Sequence, residues 1–269
     1  MEKPDVGKPR GILRPEAGKR HFQLSRHAPA PDVAPFVEHY WIVEWDLRGQ
    51  EPYVTETLPH PSIHVVFEQD RSEVVGVMRG KFSRRLEGAG RVFGIKFRPG
   101  GFYPFVKRPV SELTDHTFPI GAFFGAEGEQ LEREILSLPD RTEMVACAER
   151  FLRERLPEQD DAATVVGEIV YSIMADRAIG KVDDLAARLG VGKRWLQRTF
   201  SRYVGVSPKW VIQRYRLHEA TEQLNARGPN VDWPKLALEL GYFDQAHFIK
   251  DFKALVGVSP SEYVRGAGS

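Results

Sequence analysis

Apolar positions in the last hundred residues recur with the spacing of an α-helix, and the pattern occurs twice. Each copy has a short apolar stripe, then a glycine, then a second stripe at every fourth position. The offset between the copies is 51 residues up to the glycine and 52 after it. The matching positions are Leu185, Ala186, Leu189, Gly190, Leu196, Phe200 and Val204 in the first copy, and Leu236, Ala237, Leu240, Gly241, Phe248, Phe252 and Val256 in the second. Because glycine tolerates the left-handed turn that joins two short helices, the repeat predicts two helix-turn-helix units at about 182–204 and 232–256.

The first half of the chain follows a different pattern. Runs rich in β-branched and aromatic residues at 36–45, 62–68, 73–78 and 92–97 alternate with proline and glycine, which predicts short strands. After Pro109 the apolar period becomes helical, and Asp140 is a candidate N-cap between two helices. Asp232 and Asp244 are candidate N-caps of the two helices in the second helix-turn-helix unit. The fold class predicted is therefore α+β with two domains. The first is a β-rich, cupin-like barrel or sandwich with appended helices, and the second is an all-α double helix-turn-helix.

The predicted boundaries follow from composition. Residues 1–20 are rich in Pro, Gly and Lys, which predicts a disordered tail. A β-rich sensing or dimerising domain is expected over 21–157, and a DNA-binding domain over 158–269. The polar, proline-led run 157–161 is the expected linker.

Charge is balanced over the whole chain but not along it. The sequence has 38 Lys and Arg and 37 Asp and Glu, for a net charge of +1. Within 181–216, nine basic residues face only Asp183 and Asp184, as expected of a surface that contacts phosphates. The chain has no apolar run near the roughly 20 residues of a membrane helix, and no secretory signal. Its one cysteine excludes an internal disulfide. We expect a cytoplasmic, nucleoid-associated protein that does not bind a membrane.

The second helix of each unit carries the residues that we expect to contact DNA. In the first unit Arg194, Gln197 and Arg198 are predicted to read bases, since Arg pairs with guanine and Gln with adenine. Lys193, Arg202 and Lys209 are predicted to bind phosphates, and Ser201 lies on the same edge. In the second unit the exposed edge offers a less basic set: Gln245, Ala246, His247, Lys250 and Lys253. A helix beginning after Ser207 and ending near 226, about 30 Å long, would hold the units about one 34 Å turn of DNA apart.

These residues also carry a family resemblance. The last hundred residues resemble the DNA-binding domain of the AraC/XylS family of transcriptional regulators. The matching text includes Leu196-Gln-Arg198, Gly205-x-Ser-Pro208, Phe243-Asp-Gln-Ala-His-Phe248 and Gly257-Val-Ser-Pro260. In that family the base-reading positions fall on Arg194, Gln197 and Arg198, and on Ala246, His247 and Lys250. Ala246 departs from the polar residue often found there.

The resemblance implies a sequence-specific regulator, with double-stranded DNA and RNA polymerase as partners. The N-terminal half, with Gly94-Ile-Lys-Phe-Arg-Pro99, is similar to a subgroup whose N-terminal domain has no settled function. In the wider family this domain binds a small effector, dimerises, or does both, so an effector and a homodimer are expected as candidates here. Activation and repression are left open.

Three alternatives compete with this interpretation. His60 and His64, with Glu56 and Glu68, could bind a metal in a cupin-like enzyme fused to the DNA-binding domain, although Pro59 and Pro61 interrupt the strand. A DNA-repair methyl acceptor would require a reactive cysteine, and Cys147 lacks an activating setting. The repeat could instead serve protein contacts alone. We predict no enzyme activity, no catalytic residue, no metal and no cofactor.

A candidate effector pocket rests on aromatic residues of the first half. Tyr40, Trp41, Trp45 and Tyr53 could line an apolar ligand pocket, although such residues more often belong to a core.

Overall fold

The computed structural model describes residues 6–7, 9–158, 160–227 and 231–265. The rest of the predicted tail (1–5 and 8), one residue of the predicted linker (159) and residues 228–230 and 266–269 lie outside the described residues. In the first half the elements are α1 (Pro15–Gly18), β1 (Gln23–His27), β2 (Val37–Asp46), β3 (Tyr53–Thr57), β4 (His64–Glu68), β5 (Glu73–Val75), β6 (Phe82–Leu86), β7 (Ala89–Phe97), α2 (Tyr103–Val106), a 3-10 turn (Val110–Glu112) and β8 (Thr117–Pro119). The β-rich first half is thus confirmed.

The strands pair antiparallel into two sheets. One has six strands in the order β1-β2-β7-β4-β5-β8, and β3 pairs with β6 in a separate two-stranded sheet. Within the described part of the chain no strand pair joins the two, so they are not hydrogen-bonded into a closed barrel. Tyr40 lies opposite Ile95 and Ile42 opposite Phe93, and all four side chains are buried. They form the face of the large sheet that packs against helices.

The second half is helical throughout. Its elements are α3 (Gly121–Ser137, broken at Gly125), α4 (Arg141–Arg153), α5 (Asp161–Ala175), α6 (Val182–Leu189), α7 (Lys193–Tyr203), α8 (Pro208–Arg227), α9 (Trp233–Glu239), α10 (Gln245–Val256) and α11 (Pro260–Arg265). Asp140 caps α4 as predicted, because its carboxylate accepts hydrogen bonds from the backbone N–H groups of Thr142 and Glu143. The order of a β-rich region followed by a helical region is the predicted fold class.

Two hydrophobic clusters organise the interior. The larger cluster is continuous from the six-stranded sheet through α5 to α6 and α7, so Phe93 of the sheet and Phe200 of α7 belong to one core. The smaller cluster holds α9, α10 and α11 together around Phe248 and Phe252. It also contains Leu13, from the segment that precedes β1. The first helix-turn-helix unit therefore shares its core with the six-stranded sheet, whereas the second shares its core with Leu13 and Leu58.

The described part of the segment 6–20 is packed against the rest of the chain, unlike the predicted disordered tail. Leu13 is buried, and its backbone N–H donates to the Glu56 carbonyl oxygen at 2.9 Å. Arg10 forms an ion pair with Glu222 of α8, with Nε 2.5 Å from Oε1. The composition of this segment gave no sign of these contacts, because one leucine and one arginine carry them.

Candidate nucleic-acid interface

The turn of the first unit forms because Gly190 adopts a left-handed conformation. Its φ is +65°, and its N–H donates to the Ala187 carbonyl at 3.2 Å. A non-glycine residue is disfavoured in this conformation, so the glycine ends α6 and allows α7 to begin three residues later. Leu185 and Ala186 are buried as predicted, but Leu189 is 38% exposed. The prediction that Leu189 belongs to the buried stripe was wrong, because only Leu185 and Ala186 of α6 are buried.

Helix α7 has one buried edge and one exposed edge. Leu196 and Phe200 are fully buried, in agreement with the predicted stripe. The predicted DNA-contacting residues of this unit are all exposed: Lys193, Arg194, Gln197, Arg198, Ser201, Arg202 and Lys209. Trp195 is also 37% exposed beside them, a feature that the sequence analysis did not identify. The helix therefore presents a polar, basic surface outward while it is anchored from behind.

Two of the basic side chains of α7 are held by another residue, and two have no ion-pair partner among the described residues. Lys193 pairs with Asp183 at the start of α6, and Arg202 donates from Nε to the Tyr103 hydroxyl at 2.7 Å. Arg194 and Arg198 form no ion pair with any residue in the described ranges. Their guanidinium groups are therefore available to a ligand without first breaking a contact within the chain.

Helix α8 connects the two units. Its 20 residues correspond to a length of about 30 Å at the helical rise. The Ser207 hydroxyl accepts a hydrogen bond from the Trp210 N–H at 3.2 Å and so caps the start of α8. Arg214, at mid-helix, is buried and donates to the carbonyl oxygens of Pro59 and Arg79, at 3.2 and 2.5 Å. These bonds fix α8 against the N-terminal half.

The second unit has the same local construction. Asp232 caps α9 by accepting from the Lys235 N–H at 3.1 Å, and Asp244 caps α10 by accepting from the His247 N–H at 2.7 Å. Gly241 is left-handed with φ +75°. Both caps and the glycine turn were predicted from the sequence, since these residue types are the ones that satisfy helix ends.

The outward edge of α10 is less basic than that of α7. Of the predicted contact residues, four are exposed and Gln245 is half-buried; the exposed ones are Ala246, His247, Lys250 and Lys253. His247 Nε2 lies 3.5 Å from Asp251 Oδ2, which places an acidic group beside this edge. Phe243, just before the cap, is 90% exposed. The exposure of Phe243 was not predicted, because aromatic side chains usually belong to a core.

The four aromatic residues of the candidate effector pocket do not come together. Tyr40 is fully buried on the helix-facing side of β2 and stacks on Phe93. Trp41, its neighbour along the strand, points to the opposite side and donates to His64 Nδ1 at 3.1 Å. Trp45 donates to a backbone carbonyl, and Tyr53 stacks on His21. A strand alternates its side chains, so adjacent residues cannot line one cavity.

The four residues of the metal alternative also have separate partners. Glu56 pairs with Lys81 at 2.5 Å and Glu68 with Arg84 at 2.5 Å. His60 packs edge-on against the ring of His218, with centroids 4.3 Å apart. Among the described residues no group of three or more His, Cys, Asp or Glu could hold a metal ion.

Cys147 is buried on α4. Its thiol donates to Glu134 Oε2 at 3.5 Å, and burial together with that carboxylate raises the pKa of Cys147 to about 11. The thiolate is the reactive form, so this residue has neither the exposure nor the charge of a redox or alkyl-accepting cysteine.

Two segments of the chain match models of known protein families. Residues 185–266 match a family model described as a helix-turn-helix domain, and residues 25–119 match one described as a domain of unknown function (DUF6597). The transcriptional activator AarP of Providencia stuartii is 38% identical over 82 residues, which cover 30% of this chain and 59% of AarP. An uncharacterized transcriptional regulator of Escherichia coli, YidL, is 37% identical over 84 residues, which cover 31% of this chain and 28% of YidL.

The matches to these relatives span 59% of AarP and 28% of YidL, less than two thirds of either one. Among solved structures, ToxT of Vibrio cholerae aligns over 91% of this chain and 98% of its own, with 13% identity and a TM-score of 0.40. Within the described residues, no helix is long and apolar enough to cross a membrane.

Proposed function

We propose that the protein is a sequence-specific DNA-binding regulator of transcription, from the premise that residues 185–266 match a helix-turn-helix domain and resemble that of the AraC/XylS family. Helix α7 would enter one major groove and α10 the next along the same duplex. The observation that carries the proposal is the exposed edge of α7, where Arg194 and Arg198 lie free of ion pairs with the described residues while Leu196 and Phe200 anchor the helix from behind. Exposed guanidinium groups without an ion pair to the described residues suit contacts with phosphates and base edges.

Each residue of the interface has an expected role. Arg194, Gln197 and Arg198 would read base edges, because Arg and Gln each offer two hydrogen-bonding groups to one base. Lys209 would bind a phosphate. Arg202, which is held by Tyr103, would contact the backbone at the margin of the helix. In the second unit the reading would rest on His247 and Lys250, while Ala246 contributes only an apolar contact.

The remaining parts of the function are inferred from the arrangement of the two halves. An effector bound to the N-terminal half would act on α7 first, because the sheet and α7 share one hydrophobic core. RNA polymerase and a second copy of this chain remain predicted partners. We propose no catalytic role: the candidate metal ligands are engaged with other residues, and the relatives named above are regulators.

The experiment is a selection of bound fragments from genomic DNA, followed by hydroxyl-radical and methylation footprinting of the selected site. The proposal requires two protected major-groove segments about 10.5 base pairs apart, on one face of the duplex. Arg198→Ala should remove protection from one segment, and Lys250→Ala should weaken it in the other. Arg133→Ala, at an exposed position on α3, serves as the control and should leave both intact. Absence of any selected sequence, or a footprint confined to one groove, would overturn the proposal.

A further inference from the structure

An open groove of about 510 Å³ lies between α7 and the N-terminal half of the chain. One wall is the exposed edge of α7, with Gln197, Arg198 and Ser201. The opposite wall includes Tyr103 and Lys107, which belong to α2 and the residue that ends it. The N-terminal half therefore places a cation beside the residues that we expect to read DNA.

The two walls are held together by specific contacts. Arg202 of α7 donates to the Tyr103 hydroxyl at 2.7 Å and lies 4.9 Å from the centre of its ring. The Thr114 hydroxyl donates to the Gly205 carbonyl oxygen at 2.8 Å. Val110 is buried and in such close contact with Gly205 that a Cβ there would lie 3.0 Å from it. Lys107 is therefore fixed relative to α7 and is not carried on an independent loop.

Lys107 itself is exposed and has no ion-pair partner among the described residues. It ends α2 in a left-handed conformation, with φ 51° and ψ 27°, and its backbone N–H donates to the Tyr103 carbonyl at 2.8 Å. Non-glycine residues seldom adopt this conformation. Arg108, the next residue, pairs with Glu112 at 3.0 Å, whereas the Lys107 ammonium forms no ion pair with any residue in the described part of the chain. The side chain thus adds a free positive charge to the groove.

We propose that Lys107 binds a backbone phosphate of the DNA that α7 reads, so that the N-terminal half contributes directly to the DNA interface. This inference rests on the proposed function. The major groove of DNA is about 12 Å wide, and phosphates line both of its edges. Lys107 lines the same groove of the protein as Arg198, so Lys107 lies near an edge phosphate when Arg198 contacts a base. A lysine ammonium binds phosphate as a point charge and conveys no base preference.

The test uses the full chain and a selected duplex, with affinities measured by fluorescence polarisation between 50 and 200 mM salt. Lys107→Ala should reduce the slope of log K against log salt by about 0.9 and weaken binding by on the order of eightfold at 0.1 M salt. The loss should be the same for the cognate and a scrambled duplex. Lys107→Arg should retain the affinity, and Arg133→Ala should match the unmodified protein.

A second variant separates charge from folding. Lys107→Gly removes the ammonium but suits a left-handed φ, so it should lose the same affinity without loss of thermal stability. On a duplex whose flanking phosphate is replaced by a neutral methylphosphonate, the unmodified protein should bind as weakly as the glycine variant does.

The possible failures are distinguishable. If the unmodified chain binds no duplex, the proposed function is wrong and this inference falls with it. If the chain binds DNA but Lys107→Ala and Lys107→Gly keep the full affinity and salt slope, only the inference is overturned. It is also overturned if these variants lose binding to an acidic protein partner while their DNA affinity is unchanged.

Discussion

Arg198 lies at the centre of the exposed edge of α7, opposite the buried Leu196 and Phe200. Its guanidinium group forms no ion pair with the described residues that a DNA contact would have to break. We predict that Arg198→Ala reduces affinity for the cognate duplex by about 1–3 kcal/mol and reduces discrimination against a scrambled duplex, because a bidentate contact to a base is lost. Equilibrium titration of both duplexes at one salt concentration measures both effects. Undiminished discrimination would exclude Arg198 as a base-reading residue.

Lys209 offers a contrasting case at the same scale. It is exposed next to the start of α8 and is expected to bind a phosphate. Lys209→Ala should weaken binding to all duplexes by the same factor and reduce the salt slope by about 0.9, since one counterion-releasing contact disappears. A salt titration with cognate and scrambled DNA checks this, and a change in selectivity would contradict it.

Helix α10 depends on its cap. The Asp244 carboxylate accepts from the His247 N–H at 2.7 Å, which satisfies a donor that the helix cannot satisfy itself. Asp244→Ala should therefore destabilise the second unit by about 1 kcal/mol, whereas Asp244→Asn should cost much less. Hydrogen exchange resolved by segment is the appropriate measurement. Amides of α10 should exchange faster in the alanine variant, and those of α7 should not change.

The elements that the sequence predicted well are those with strong local rules. Glycine turns at Gly190 and Gly241, and aspartate caps at Asp140 and Asp244, all lie where the sequence analysis placed them. Long strands with apolar alternation were also found. The missed strands were β1, β3, β6 and β8. Length does not explain the difference, since β4 and β5 are equally short and were predicted. Strand β6 is mostly exposed and carries two arginines, so no apolar pattern marks it.

Only part of the candidate site could likewise be predicted from the sequence. The exposed residues of α7 and α10 followed from helical periodicity, because burial of one edge fixes which residues lie on the other. The groove containing Lys107 could not be foreseen, since 90 residues separate Lys107 from Gln197 along the chain. The pocket expected from Tyr40, Trp41, Trp45 and Tyr53 failed for a similar reason: aromatic composition does not say which side of a strand each residue occupies.

At the scale of the whole molecule, acid should weaken the association of the two halves. His218 of α8 is fully buried against His60, with Arg214, Lys96 and Arg10 as nearby cations. Burial, with a smaller effect from these charges, lowers the pKa of His218 to about 3. Because an unfolded histidine takes up a proton near pH 6.5, the stability that the neutral ring provides is complete above that pH. It is lost as pH falls toward 3, by about 2 kcal/mol between pH 6.5 and 5.

Urea denaturation at several pH values tests this expectation. The difference in free energy of unfolding between the unmodified chain and His218→Gln should shrink as pH falls from 7 to 5. Val54→Ala, at an exposed position, removes no ionisable group and provides the control, for which the difference should not change with pH. A constant difference for His218→Gln would show that its ring is protonated in the folded protein.

The continuous apolar interior from the sheet to α7 makes α7 and α10 unequal. A change in the packing of the sheet, caused by a ligand or by a smaller side chain beside Phe93, would also change the packing of α7. This follows because the sheet and α7 share one hydrophobic core. Helix α10 lies in the smaller core, which meets the first half through Leu13 and Leu58 and not through the six-stranded sheet. A change that acts through the sheet would therefore alter the contacts of α7 with its half of an operator, while the contacts of α10 with the other half change less.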